Sequence, residues 1–469
     1  MNKLVAKFKD IKDSNLVFLW ETKLDIKLLD ELNLNEKILN KIKDTIKNDK
    51  NQISSFYLWD EQFEYLYFIY YSKTSTKTLI EFLWEELPKL PEKLTLFTSN
   101  ETLLLNLLDT TILSRYKFDK YKSEKIEETI NIIINKNNEK LVKNRLKTLD
   151  NIILARNLWE TPSCDLYPES FANLVKKTKF ENIKVKIFDS KQVEKDWLML
   201  LHNVWKWSSK WPYMVILEKI IDKSLPTIWL VWKWITFDTG GIQVKPGDSM
   251  YEMKWDMCWA AAVYATMKEL DEKKLDVNIV ACLVLAENHI SWNSYKPSDI
   301  IKSYSWKTVD IIHTDAEWRL VLADGISYIS KNYKLDKVIT VATLTWAVMV
   351  ALWYRYAWIM WNDKILIKKF IDYSQVNFEK YIELPFDNYF IEKTKASRVA
   401  DLENLNRWVY AWSSMWAAFL SNFVLNKEKY VHLDIAWTSL NWFEPYWLFN
   451  KWCTGFWVDS LSSILMDIK

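Results

Sequence analysis

The sequence predicts an α/β protein of two domains: a larger C-terminal α/β/α domain with a mixed, largely parallel central sheet, and a smaller N-terminal α/β domain. Three observations carry this. At 469 residues the chain exceeds what one hydrophobic core ordinarily serves. Short, near-continuous apolar runs alternate with helical stretches throughout, as in sheets buried on both faces. A long helical stretch ends near Leu158 and runs into WETPSCDLYP, where Pro162 and Pro168 interrupt it. The domains are therefore placed at 1–150, an oligomerisation or access domain ending in a linker helix, and at 151–469.

In the N-terminal part, strands are predicted at LVFLW (16–20), FYLW (56–59), YLYFIYY (65–71) and KLTLFTS (93–99). Amphipathic periodicity predicts helices over 29–48 and over 123–158. After the boundary, strands are predicted at 184–189, 213–218, 227–232, 277–287, 308–314, 337–344 and 430–436. Helices are predicted at 256–273, 323–333 and 414–427. The apolar run 338–360 carries threonines, Arg355 and a β-branched opening, so it reads as a buried strand followed by a helix rather than a membrane span.

Composition narrows the function classes. A formal net charge of +2 argues against a basic nucleic-acid binder, and the Lys/Asn runs of the first domain read as solvated faces. Cys164, Cys258, Cys282 and Cys453 have no CxxC spacing, which fits a reducing cytoplasm. The N-terminus, charged throughout, does not read as a signal peptide.

One feature of the composition is abnormal: 28 Trp against 5 Gly. Glycine ordinarily makes up about 7% of a chain; here it is about 1%, and Gly and Trp together restore about 7%. WKWITFD, SWKT, DAEWR, LTWA, AWSS and IAWTS place Trp where a turn or a close backbone approach calls for Gly. Most of these tryptophans are therefore read as UGA codons that the source organism translates as glycine.

The chemistry concentrates in two stretches, 230–262 and 313–319. Asp238 ends a strand beside Gly240 and Gly241, where open α/β sheets place their ligands. Asp256 opens an Ala-rich helix, a position an N-cap would also fill. Asp315 and Glu317, two apart, share one face of an extended segment. Carboxylates from three segments can bridge two ions about 3.5–4 Å apart that activate a shared water. Lys233 can ligate a metal only when neutral. Lys245 offers an ammonium to a developing oxyanion, and Arg319 a bidentate clamp for a small anion. His313 and His432 lie on apolar strands and read as core residues. Walker A, HExxH and GxGxxG motifs are missing, even with glycine at every Trp, and GxSxG is missing from the sequence as it stands.

VWKWITFDTGGIQVKP, MKWDMCWAAAV, HTDAEWRLVLADGISY, VATLTWA and HLDIAWTS resemble the catalytic domain of the leucyl (cytosol) aminopeptidases, and more closely with Trp read as Gly. ARNLWETP, ENHISWNSYKPSDI and CTGFWVDSL fit the same family, so the resemblance spans about residues 150–469. It implies hydrolysis of the N-terminal peptide bond, leucine among the residues removed, by a water activated between two divalent ions, Mn²⁺ or Zn²⁺. Lys233, Asp238, Asp256, Asp315 and Glu317 match the metal ligands, with Asp238 and Glu317 bridging. Lys245 matches the carbonyl-polarising lysine, and Arg319 the arginine holding a bicarbonate that serves as general base. Thr343 and Leu344 match the substrate pocket. The resemblance further implies a cytoplasmic homohexamer acting on peptides with a free N-terminus, without membrane or nucleic-acid partners. The alternative of the same fold is a catalytically silent hexameric scaffold or DNA-binding regulator. One departure stands at His313, where the family usually has Asn. Mass spectrometry of the native protein checks the recoding: glycine is expected at 232, 234 and 318, and tryptophan there would refute it.

Overall fold

A computed structural model describes residues 2–5, 14–21, 34, 36–47, 52–58, 63–71, 75–98, 100–205, 208–251, 253–254, 258–334, 336–342, 350–425, 429–434 and 438–468. The chain divides into two units, 1–150 with 443–451, and 151–442 with 452–469.

The first unit holds a six-stranded sheet in the order β1-β6-β5-β2-β4-β3. Its strands are β1 (Asn2–Val5), β2 (Ser14–Glu21), β3 (Gln52–Tyr57), β4 (Phe63–Tyr71), β5 (Lys93–Phe97) and β6 (Thr129–Ile133). All neighbours are parallel except β3 and β4. Helices α1 (Glu36–Lys47), α2 (Thr76–Glu86), α3 (Glu101–Ser114) and the first half of α4 (Glu139–Glu160), which continues into the second unit, complete the pattern. The helix expected over 123–158 is corrected here: Thr129–Ile133 is a strand, and the helix begins at Glu139. The run TINII is β-branched at four of its five positions, which stiffens χ1 against a helix and suits a buried strand.

The second unit holds an eight-stranded sheet, order β15-β14-β17-β13-β9-β10-β8-β7. In chain order the strands are β7 (Lys184–Phe188), β8 (Tyr213–Lys219), β9 (Thr227–Asp238), β10 (Asn278–Asn288), β13 (Lys337–Ala342), β14 (Ala357–Trp361), β15 (Tyr381–Glu383) and β17 (Lys429–Asp434). The inner four, β17-β13-β9-β10, are parallel, and antiparallel β8 and β14 flank them. A small sheet of β11 (Ile300–Lys302), β12 (Thr308–Asp310) and β16 (Leu402–Glu403) stands apart from it. The mixed, largely parallel sheet expected from the apolar runs is present.

The principal helices are α5 (Pro168–Lys177), α6 (Met199–Trp205), α7 (Cys258–Leu270), α8 (Trp318–Asn332), α9 (Lys364–Val376), α10 (Trp412–Ser421) and α11 (Val458–Asp467). Helix α8 packs with α6 and α10, while α11 packs with α7 and α9. Trp229, Val231 and Ile235 of β9 join the core that α8 completes with Leu320, Val321 and Ile326.

Two expectations change in ways that bear on the site. The strand expected over 308–314 stops at Asp310, and 314–315 form a turn. The helix expected from Ala323 begins at Trp318, with Glu317 as its N-cap residue in helical conformation (φ −77°, ψ −37°). Turn and helix entry, not a strand, therefore present Asp315 and Glu317. Of the run 338–360, the described residues hold most of β13, helical residues at 350–352 and the start of β14, while 343–349 lie outside the described residues. No helix among the described residues is long and apolar enough to cross a membrane.

Helix α8 lies close on the sheet because Gly325 faces it: a Cβ there would stand 2.7 Å from Val284 Cγ2. Gly325→Ala is expected to destabilise the fold by about 1–3 kcal/mol through overpacking, read as a lower denaturation midpoint.

Candidate active site

The site begins at the C-terminal end of β9. Strict alternation would put Lys233 and Asp238, five residues apart, on opposite faces. The pairing with β10 slips instead: Ile235 sits opposite Ala286, and Asp238 opposite Asn288. Three steps on β9 thus match two on β10, a bulge that re-aims one side chain. Lys233 and Asp238 are both buried. The turn after Asp238 needs glycine at Gly240 (φ +85°), where a Cβ would lie 2.6 Å from Gln243 O and 2.8 Å from Asp315 Oδ1. Without that side chain the loop closes over the carboxylates, and the Gly240 N–H donates to Asp238 Oδ1 at 2.9 Å.

The turn before α8 brings the other acids. Asp238, Asp315 and Glu317 each offer a carboxylate oxygen within 4.8 Å of the others. Both Glu317 oxygens are buried without a hydrogen-bond partner, and the residue is 0% exposed. Burial, with the adjacent Asp238 charge, drives the Glu317 carboxyl well above the usual range, although Lys233 and Lys245 pull the other way. A wholly buried carboxylate facing two more is costly unless a cation joins it. The donor set of three oxygens suits a hard divalent ion.

Lys245 rests between the acids, its Nζ 2.9 Å from Asp238 Oδ2 and also paired with Asp315. Burial works against its charge, but Asp238, Glu317 and Asp315 outweigh it and hold the ammonium well above the ordinary lysine range. Lys233 Nζ lies 5.8 Å from the centroid of the Trp318 ring. Arg319 is buried, its guanidinium 4.5 Å from the Trp318 ring and 4.3 Å from the Trp416 ring. Burial lowers its pKa to about 9, against the support of Glu317 and Asp315. Asp256, Thr343 and Leu344 lie outside the described residues.

A family model, the cytosol aminopeptidase family catalytic domain, matches residues 153–462. The chain belongs to the cytosol aminopeptidase family. It is 35% identical over 371 residues to a probable cytosol aminopeptidase of Aquifex aeolicus, covering 77% of this chain and 74% of that protein. Its fold is similar to the crystal structure of the cytosol aminopeptidase of Coxiella burnetii, with a TM-score of 0.83 and 24% identity, covering 99% of each chain. It is also similar to the bottromycin maturation enzyme BotP in complex with Mn, with a TM-score of 0.82 and 23% identity, covering 97% of this chain and 99% of that one. The protein is a leucyl aminopeptidase-type hydrolase.

Several residues of this aminopeptidase site escaped the motif reading. Asn288 donates to Asp238 Oδ1 at 2.8 Å and to Thr314 O at 3.3 Å, tying the end of β9 to the turn of Asp315. Its signal was positional: a polar residue closing an apolar strand that neighbours β9. Buried Tyr295 donates to Thr314 O at 2.6 Å; burial and the three acids keep its phenol protonated. His313 is no core residue but half-buried on the turn, where its Nδ1 accepts the Asp315 N–H at 3.1 Å. Burial and nearby Arg319 and Lys245 lower its pKa, which favours this acceptor role. His432 is fully buried on β17, as read from the sequence.

In the metal-free protein, Glu317 has a native pKa above its unfolded value. The fold therefore retains a proton that the unfolded chain releases above the ordinary glutamate range, and this contribution is lost as pH rises. Glu317→Gln is expected to flatten the fall in metal-free melting temperature between about pH 5 and pH 8, as measured by calorimetry in chelator.

Proposed function

We propose that this aminopeptidase holds two divalent metal ions, Mn²⁺ or Zn²⁺, on Lys233, Asp238, Asp256, Asp315 and Glu317. In this reading Asp238 and Glu317 would serve both ions. The observation that carries it is Glu317, buried with both oxygens unpartnered and facing two more carboxylates within 4.8 Å. Bound there, the ions would supply Lewis acidity that lowers the pKa of water and polarises the scissile carbonyl. The substrates are peptides with a free N-terminus, from which leucine and other residues are removed. Thr343 and Leu344 would line their pocket, and the working form would be a cytoplasmic homohexamer.

The chain's own residues have definable tasks. Lys245, kept charged by its acidic neighbours, donates to the carbonyl oxygen as negative charge develops on it. Asn288 and the Gly240 N–H hold Asp238 in one orientation. Arg319, two residues beyond Glu317, offers its guanidinium to a small anion, bicarbonate in this reading, beside the reacting groups.

We further infer that most of the 28 Trp are glycine in the native protein. Among described residues, those with φ in the left-handed region are Gly240, Gly241 and Gly455, Ser298, and seven tryptophans: 197, 306, 353, 361, 447, 452 and 457. Glycine enters that region freely, whereas a bulky side chain there is strained. Trp229, Trp232 and Trp234 are buried with no partner for the indole N–H, a loss of about 1–3 kcal/mol for each. The Trp234 and Phe171 rings have centroids 3.6 Å apart, and Trp361 and Phe386 3.5 Å, shorter than the separations of about 4.5–7 Å that aromatic pairs adopt. Glycine at 318 and 416 would remove the two indoles against Arg319 and leave room for its anion.

Both inferences meet in one experiment. The chain made with glycine at these positions is expected to hydrolyse leucine amide with Mn²⁺, and the tryptophan form to fold poorly or stay inactive. In the glycine form, Lys245→Ala should lower kcat about 10²–10³-fold, and Asp256→Ala should abolish turnover and weaken metal binding. Equal activity of the tryptophan and glycine forms refutes the recoding, and full activity after exhaustive chelation refutes the metal site.

A further inference from the structure

We propose that Asn404 is a positioning residue for catalysis: its side chain sets the turn that presents Asp315 and Glu317, while its backbone carbonyl anchors Arg319. The proposal rests on the two-metal reading for the function of those acids, and on the hydrogen bonds below for the role of Asn404.

A primary amide has two acceptor lone pairs and two N–H donors. Asn404, 1% exposed, spends all four on one short segment. Its Oδ1 accepts from the backbone N–H of Ile312 at 2.7 Å and of His313 at 3.3 Å. Its Nδ2 donates to His313 O at 2.7 Å and Ala316 O at 3.4 Å. The neighbouring groups of the turn are held from elsewhere: Thr314 N by Gln243 Oε1 at 2.9 Å, Thr314 O by Tyr295 and Asn288, and Asp315 N by His313 Nδ1. Asn404 therefore supplies what the turn lacks, closing it on both sides of Asp315.

The same residue reaches the arginine. Arg319 Nη1 donates to Asn404 O at 2.9 Å. Asn404 itself is fixed: it follows β16, whose Leu402 and Glu403 pair in parallel with Val309 and Asp310, and its N–H donates to Asp310 O at 3.0 Å. One residue thus sets the distance between the Asp315–Glu317 pair and the guanidinium. The dependence is directional. Aspartate in its place would keep both acceptors but turn an oxygen toward His313 O and Ala316 O. Alanine would leave four backbone groups of the turn without the amide.

The test compares Asn404→Ala and Asn404→Asp, made in the full-length glycine form, with that form as parent and with Asn406→Ala, two residues on, whose amide bonds to Lys393 O at 3.1 Å. Mn²⁺ affinity is read from the paramagnetic resonance of the free ion, kcat and KM from leucine amide hydrolysis, and folding from thermal denaturation. Both Asn404 variants should lose about 10–100-fold in Mn²⁺ affinity and in kcat, with KM within about twofold and Asn406→Ala matching the parent. Asn404→Asp preserves the side-chain shape and decides the matter if the alanine variant does not fold. A folded Asn404 variant whose Mn²⁺ affinity and kcat stay within about twofold of the parent overturns the proposal. A parent that hydrolyses leucine amide yet binds no metal overturns the two-metal reading instead, and the kcat comparison then still decides the role of Asn404.

Discussion

Asp238, Asp315 and Glu317 gather their carboxylates within 4.8 Å, with Glu317 wholly shut off from water. Much of the surrounding structure compensates that repulsion. Lys245 lies between two of the acids, and Lys233 and Arg319 add positive charge. The rest is handled by neutral dipoles on Asp238, Asn288 and the Gly240 N–H, while Tyr295 holds the carbonyl of Thr314 beside Asp315. In so dry a setting a misplaced donor is expensive, which explains why the backbone of the acid-bearing turn is so fully hydrogen-bonded.

The same demand for close approach connects the site to the composition. Gly240 lets the β9 turn come within contact of Asp315 and Gln243, and Gly325 lets α8 settle on Val284. Tryptophan stands at equivalent points of tight geometry, in the left-handed backbone region and in the sheet core. A residue of that volume opposes the architecture that the remaining sequence specifies, so local and global preferences conflict there. Glycine removes the conflict at each position for the same reason.

Much of the site was legible in the chain. Asp238, Lys245, Asp315, Glu317 and Arg319 are marked by residue type and by closeness to a glycine turn or helix entry, and the structure brings the three acids and both cations into one locus. The partners were not legible. Asn288 and Asn404 come from segments far along the sequence, with nothing local to distinguish them from other polar residues at strand ends. Among the elements, 129–133 was obscured by amphipathic neighbours that continue a helical period, and the turn at 314–315 by the apolar residues before it.

By itself the sequence determined the family, the α/β alternation, the ionisable groups and the abnormal tryptophan and glycine counts, because each is a property of residue identity and short-range spacing. Tertiary structure decided which side chains meet. The bulge that brings Asp238 into place arises from the pairing of β9 with β10. The placement of Asn404 arises from the pairing of β16 with β12. Register between distant strands is set by the packing of whole elements, and no local pattern encodes it.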